Sequence, residues 1–436
     1  MKAGFARVDI TPPLGSYISG YFKPRYAKGV LDPLELNAIA FSDGEATALL
    51  IVADLIGVDR ATCRELRAAI AAETGVPAEH IMLTALHQHT AYAFLSAARK
   101  ATRKEYEVPA PTEEVYEGFL RTRYLDVAKL ALADMGEATL TYGTREVAEP
   151  IAFVRRYYMK DGTVATNPGA SAALIDRPCD EPDNTVRLLR FCREGKRDIA
   201  LVNFCTHPDV IAGEYLSADW PGFARRYVER DLQGVSCLLL NGAQGDSNHL
   251  DFMHGTRTGY AHADFMGRTV ADAAVALFDT AAPVDGCRVA GGERTVVVQG
   301  RTDGIEECEE CRRILREHVA GTLGRRLTMA EFGHAGRVSA LLDAPAFRKI
   351  PVAVLRLGPF AFVGFGGEPF TQYPRGVQAA HPEVTVISAC CANGYEGYLP
   401  TEKALLEGGY EAAASPFPKS IERDCVGAAS TLIATL

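Results

Sequence analysis

Ala48-Leu49-Leu50-Ile51-Val52-Ala53 and Ile81-Met82-Leu83-Thr84-Ala85-Leu86 are apolar runs of strand length, and the stretch between them, Arg60 to Glu73, is amphipathic with helical spacing. Strand, helix and strand in that order make a crossover unit whose two strands pair in parallel. The same alternation continues along the chain: apolar runs of about four to eight residues, rich in β-branched side chains, are interleaved with amphipathic stretches. The pattern predicts an α/β fold, with a mixed, partly parallel β-sheet core flanked by helices and an active site at the strand C-terminal ends.

Further helices are expected over Glu113 to Met135, with Phe119, Leu120, Tyr124, Ala128 and Leu132 on one face, and over Ala263 to Phe278, Ile305 to Ala320 and Met329 to Leu341. Asp219-Trp220-Pro221 reads as a helix N-cap followed by a first-turn proline, which leaves Asp219 either a cap or a functional acid. Arg155 to Gly162 reads as a hairpin turning at Asp161-Gly162, and 108–112 as a surface excursion.

At 436 residues the chain corresponds to roughly two to three domain-sized units. Its 47% hydrophobic content and 11 cysteines exclude a disordered tail and a disulfide-stapled miniprotein. The cysteines are odd in number and have no framework spacing, so most are expected to be core thiols in a reducing compartment. Met1 to Asp9 lacks the apolar stretch of a secretory signal, and no run approaches the roughly 18 apolar residues of a membrane span. The expected location is the cytoplasm, with no integral membrane segment. A net charge of −9, from 46 basic and 55 acidic side chains, opposes phosphate backbones and argues against a nucleic-acid partner. The basic run Arg99-Lys100-Ala101-Thr102-Arg103-Lys104 has no interleaved aromatics and reads as a solvated loop face. A small-molecule substrate is the partner this leaves; oligomeric state is not legible.

The residues just past the apolar runs carry the chemistry. The run ending at Leu86 leads into His87-Gln88-His89, and Ile199 to Phe204 leads into Cys205-Thr206-His207-Pro208-Asp209. Cys237 to Leu240 leads into Asn241-Gly242-Ala243-Gln244-Gly245-Asp246, Phe360 to Phe365 into Gly366-Gly367-Glu368-Pro369, and Val384 to Ala389 into Asn393-Gly394-Tyr395-Glu396-Gly397-Tyr398. Ligands of open α/β sheets sit beyond the carboxyl ends of strands, so these junctions can converge on a single site.

In extended backbone, residues two apart point to the same face, which would aim His87 and His89 together. His87, His207 and Glu368 would supply two imidazoles and a carboxylate, a set that suits zinc and leaves positions open for water and substrate. The competing reading is plain: strand-end histidines that are simply buried and hydrogen-bonded, and glycines that are simply turns. Gly366-Gly367 would permit close backbone approach before Glu368, and Gly242 and Gly245 would present Asp246 at a loop tip. Cys308-Glu309-Glu310-Cys311 has no second pair and reads as a solvated helix face rather than a zinc site; Cys205 and Cys390-Cys391 read as core thiols. No nucleophile elbow, P-loop or dinucleotide fingerprint is present.

Taken in order, Asp9-Ile10-Thr11-Pro12-Pro13-Leu14-Gly15, Gly29-Val30-Leu31-Asp32-Pro33-Leu34, Leu86-His87-Gln88-His89-Thr90, Asn203-Phe204-Cys205-Thr206-His207-Pro208, Gly242-Ala243-Gln244-Gly245-Asp246 and Gly367-Glu368-Pro369-Phe370 resemble the neutral/alkaline non-lysosomal ceramidase family. Tyr395-Glu396-Gly397-Tyr398 and Gly409-Tyr410-Glu411 complete a resemblance that covers nearly the whole chain.

The resemblance implies one Zn2+ per chain held by His87, His207, Glu368 and Tyr398, with proximity to the dication favouring the Tyr398 phenolate. It also implies a carbonyl site lined by His89, Arg155, with Arg156 as the register alternative, and Tyr410. His89 and Asp246 are the candidates for general base. The family's Gly-Asp-x-Ser-Pro-Asn is replaced here by Gly245-Asp246-Ser247-Asn248-His249, so a serine nucleophile is not implied. The accessory domain and secretory signal of that family are not seen, which points to a substrate smaller and more soluble than ceramide.

The expected protein is a zinc-dependent hydrolase cleaving the C–N bond of an N-acyl substrate. It would be a single catalytic domain over 1–436 with a helical excursion at about 301–345. The alternatives are a zinc-dependent lyase or isomerase acting on a hydroxylated small molecule, and a non-catalytic binding protein that keeps the pocket.

Overall fold

The computed structural model describes residues 1–21, 25–96, 113–301, 305–327, 329–343 and 345–436. The basic run at Arg99 to Lys104 and the excursion at 108–112 lie outside them.

Nine strands form the larger sheet: β1 (Lys2–Asp9), β2 (Glu35–Ser42), β3 (Thr47–Ala53), β4 (Ile81–Ala85), β5 (Gly136–Glu146), β6 (Thr185–Arg193), β7 (Asp198–Phe204), β8 (Val235–Asn241) and β9 (Ala282–Val284). Their order is β8-β7-β6-β5-β1-β2-β3-β4, with β9 added to β5. A second sheet runs β10 (Val289–Gln299), β11 (Phe347–Leu357), β12 (Phe360–Phe365) and β13 (Thr385–Ala389). Most neighbours are antiparallel, but β3/β4, β7/β8 and β12/β13 are parallel, so the sheets are mixed.

Strict alternation of apolar residues explains how the sheets stack. On β3, Leu50 and Val52 face a core shared with Leu355 of β11 and Phe362 of β12. Leu49 and Ile51 face the other way, onto helices α1 (Arg60–Thr74) and α2 (Glu113–Ala133). Sheet two repeats this arrangement, because Val352, Val354 and Val363 turn outward and are covered by the later helices α7 (Gln372–Ala380) and α10 (Ile421–Thr435). Between these in sequence come α3 (Asp219–Asp231), α4 (Tyr260–Phe278), α5 (Ile305–Ala320), α6 (Met329–Ser339), α8 (Glu402–Glu407) and α9 (Tyr410–Ala414). None of the described helices is long and apolar enough to cross a membrane.

The three parallel pairs all end at the same place, and hydrogen bonds from backbone and asparagine side chains lock them there. Asn241, at the end of β8, donates from Nδ2 to the Leu86 carbonyl at 3.0 Å. The Cys390 amide, just past β13, donates to the Asn241 carbonyl at 3.0 Å. The Asn393 amide donates to the Leu83 carbonyl at 2.7 Å, and its Oδ1 accepts from the Leu83 amide at 2.9 Å. Asn393 needs φ of 55°, a conformation asparagine tolerates better than most side chains.

The predicted elements largely appear. The crossover helix is capped by the Asp59 carboxylate and closed by Gly75 at φ 76°. The hairpin forms between Arg156–Met159 and Val164–Thr166, with Gly162 at φ 87°. On α2 the buried face is rotated from the expected one: Leu120, Tyr124 and Ala128 are buried, whereas Phe119 is exposed and stacks on Tyr116.

Cys308 and Cys311 are not on a solvated face. They are buried with Leu315, Ala335 and Val338 in a small core between α5 and α6, where the apolar neighbour is another helix rather than a sheet.

Asp219 is not a side-chain cap either. It sits at φ 52° and is fully buried, with its carboxylate accepting from the Trp220 amide at 2.6 Å and the Ile211 amide at 2.8 Å. Burial outweighs those donors and pushes its pKa up to about 7. A folded-state value above the unfolded one, about 4, means that the unfolded chain loses this proton first as pH rises. The contribution of Asp219 is therefore full below about pH 4 and falls by about 1.4 kcal/mol per unit up to its folded pKa. Urea unfolding of Asp219→Asn across that window should lose this slope; an unchanged slope refutes the assignment.

Candidate functional site

Where the three parallel edges meet, imidazoles crowd together. The rings of His87 and His207 are 4.8 Å apart between centroids, and His89 lies 5.1 Å from each. All three are buried, and one ring nitrogen of each falls within 4.8 Å of the others, so the cluster could hold a metal ion.

The route to that arrangement differs from the extended one expected. Strand β4 stops at Ala85 and His87 takes φ of 77°, so the two histidines are brought together by a left-handed turn rather than by pleating. Such a backbone costs about 1–3 kcal/mol. It is held by the His87 amide donating to the Leu55 carbonyl at 2.9 Å, while Nδ1 meets the Ile56 carbonyl at 2.6 Å.

Those contacts fix the tautomers. With Nδ1 of His87 committed to a carbonyl, and Nδ1 of His207 to the Gln244 carbonyl at 3.2 Å, the Nε2 lone pairs are the ones left to face the site. Both point at Glu368 Oε2, at 3.4 Å from His87 and 3.7 Å from His207. Neither His207 Nε2 nor Glu368 Oε2 has a hydrogen-bond partner among the described residues, although both are buried. A buried carboxylate and a neutral imidazole lone pair facing each other without a proton donor between them are surroundings that could hold a cation. Burial, reinforced by nearby Arg155, holds His207 well below the ordinary imidazole range, which keeps it in the neutral form that a metal ligand needs.

Glu368 and Tyr398 are neighbours in a short parallel pair, Glu368–Pro369 with Tyr398–Leu399. The approach depends on glycine: a Cβ on Gly367 would lie 2.4 Å from the Gly397 carbonyl, and one on Gly245 would lie 2.3 Å from the Glu368 carbonyl. Gly245→Ala should cost about 1–3 kcal/mol through the forced shift of the Glu368 strand, whereas Gly427→Ala, exposed on α10 with open space around its Cβ, should stabilise by up to about 1 kcal/mol. Urea titration of both variants checks this; equal effects would refute the packing argument.

A cavity of about 770 Å³ opens over the cluster. His89, Arg155, Tyr398 and Tyr410 line it, and Arg156 does not. Arg155 places Nε 2.7 Å from Glu411 Oε1 and lies 5.0 Å over the Tyr398 ring. Burial works to lower its pKa, but Tyr398 and Glu411 outweigh it and keep the guanidinium firmly charged. Arg156 instead ties down the α8–α9 connection, donating to the Gly408 carbonyl at 2.7 Å. Arg301, Glu307, Glu331 and His334 form the part of the wall contributed by the helical excursion at about 301–345.

Asp246 is not at a loop tip. It is buried, with Oδ1 accepting from the Thr371 amide at 3.0 Å and Oδ2 from the Thr371 hydroxyl at 2.8 Å, and burial pushes its pKa up to about 6. Its carbonyl holds the Arg155 amide at 2.9 Å. Both carboxylate oxygens are thus committed to Thr371, and with the backbone carbonyl on Arg155 the residue joins the Glu368 and Arg155 segments. Ser247 pairs with Val154 in a short strand, and Asn248 reaches Asn167 at 3.1 Å.

Sequence reasoning did not assign roles to Glu411, which orients Arg155, or to Tyr21, Asn167 and Asp209, which line the cavity. Asp209 lies two residues past His207 and Glu411 directly past Tyr410, so adjacency to an assigned residue was the available signal.

No protein-family model matches the sequence, and no curated protein matches it. The fold is another matter, because two sheets stacked between helical layers with a site at their joined edges match solved ceramidases: the chain has a neutral ceramidase-like fold. The neutral ceramidase from Pseudomonas aeruginosa superposes with a TM-score of 0.73 at 16% identity, covering 100% of this chain and 75% of that one. A ceramidase complexed with C2 superposes with a TM-score of 0.72 at 14% identity and the same coverage.

Proposed function

We propose that this chain is a zinc-dependent hydrolase that cleaves the C–N bond of an N-acyl substrate, acting as one catalytic unit over its whole length. The observation that carries the reading is the pair of buried atoms without a hydrogen-bond partner among the described residues, His207 Nε2 and Glu368 Oε2, facing one another at 3.7 Å with His87 Nε2 alongside. His87, His207, Glu368 and Tyr398 would hold the ion. Bound there, zinc would supply an acidified water and polarise the substrate carbonyl.

The remaining work falls to the chain. Arg155, fixed by Glu411, and Tyr410, at the start of α9, line the cavity where they can donate to the carbonyl oxygen as it gains negative charge. His89 reaches the cavity from beside both ligating histidines and is the stronger candidate for general base, since Asp246 has both oxygens committed to Thr371. The charged side chains of Arg301, Glu307 and Glu331 in the lining would favour a substrate more polar than ceramide.

A panel of N-acyl substrates assayed with and without chelator tests the reading, with heavy-oxygen water as the second measurement. Chelator-sensitive turnover with label in the released carboxylate is expected. Turnover without label would favour a lyase or isomerase, and metal binding without turnover would favour a binding protein.

A further inference from the structure

Asp209 has no part in the proposed metal or carbonyl sites, yet it lines the cavity beside His89 and Tyr21. Its Oδ1 lies 3.1 Å from His249 Nδ1, and His249 is buried, so an imidazole from a different loop fixes the carboxylate's orientation. The other carboxylates of the lining are differently placed. Glu307 meets His334 at 3.2 Å and Glu331 meets Arg325 at 2.9 Å, both on the α5–α6 wall. The nearby charge of Arg155 is already matched by Glu411 at 2.7 Å. Among the described residues, Asp209 therefore brings a negative charge to the cavity wall with a single imidazole as its hydrogen-bonding neighbour. Tyr21 stands close enough that Asp209 adds to the effect of burial in pushing its phenol up, so a neutral hydroxyl accompanies the carboxylate.

A fixed carboxylate beside a neutral phenol oxygen, both partly buried in the cavity wall, offers two acceptors to a group with several donors and a positive charge. A neutral hydroxyl on the ligand would leave the charge unmatched, whereas a primary ammonium satisfies both acceptors and the charge together.

We propose that Asp209 is a specificity-determining residue that selects substrates bearing a protonated amine near the scissile amide, pairing with it through the oxygen that His249 leaves open. The identification of the occupant as a substrate rests on the hydrolase reading; the recognition of the ammonium does not.

Three probes of similar size separate the two: N-acetylethylenediamine, N-acetylethanolamine and N-acetylpropylamine, measured for binding by calorimetry and for kcat/KM in the full chain and in Asp209→Asn. The expected result is wild-type binding of N-acetylethylenediamine tighter than N-acetylpropylamine by about 10- to 100-fold, with the ratio near unity in the variant. If Asp209→Asn does not fold, Asp209→Ser is measured in its place. A wild-type protein without that preference, a preference for N-acetylethanolamine, or a ratio that survives both substitutions overturns the proposal. Ammonium selectivity in binding without turnover of any probe would keep the proposal and remove the hydrolase reading, and turnover without selectivity would do the reverse.

Discussion

Purified without added metal, Glu368→Gln is expected to carry less than about a tenth of the zinc bound by the wild-type protein, and to lose activity by more than the roughly 10- to 100-fold typical of an outer-sphere substitution. The substitution preserves size, so the short pairing with Tyr398 and the 2.9 Å bond from the Glu368 amide to the Gly397 carbonyl should persist. What changes is charge: Oε2 is the oxygen faced by both His87 and His207, and a neutral amide there cannot balance a dication. His207→Ala should show the same loss by removing the Nε2 that has no hydrogen-bond partner among the described residues. Elemental analysis of both variants decides the matter, and full zinc retention in both would end the metal assignment.

Arg155→Lys is expected to lower kcat by about 100- to 1,000-fold while zinc content stays at the wild-type level. Lysine keeps a cation near Glu411, whose carboxylate is completely buried and would be costly to strand. It lacks the planar fork that lets Arg155 meet Glu411 on one edge and the cavity on another. Arg156→Lys, away from the cavity, should show itself in thermal stability instead, through loss of the bond to the Gly408 carbonyl and of the neighbouring Glu407 and Glu411 charges. Equal losses of kcat in the two variants, or loss of zinc from Arg155→Lys, would refute the distinction.

The parts of this fold that could be read from sequence are those written in local periodicity. Leu49 and Leu50 alternate because β3 has a core on each side, and the segment from Arg60 to Thr74 carries its own cap and its own terminating glycine. The existence of two stacked sheets was not legible, since Leu50 facing Phe362 of another sheet and Leu50 facing a helix produce the same pattern. The site shows the same division. His87, His89, His207 and Glu368 stand out because polar residues come straight after apolar runs, whereas Glu411 and His249 act through partners more than a hundred residues or several elements away. The left-handed turn at His87 was hidden for a different reason: histidine gives no backbone signal comparable to glycine, and only the bonds to Leu55 and Ile56 reveal what stabilises it.

The interlocked edges have a kinetic consequence. Leu83 and Asn393, whose mutual hydrogen bonds join the first parallel pair to the last, are 310 positions apart in the chain. Contacts of such long range pay their loop-closure entropy before they return any stabilisation, and chains dominated by them fold slowly. The imidazoles of the first half meet Glu368 only once the second sheet has docked on the first. Acquisition of a tightly held ion would then report the final step of folding rather than collapse, and a nascent chain lacking β12 and all that follows it would have every histidine of the cluster and no Glu368 to complete it.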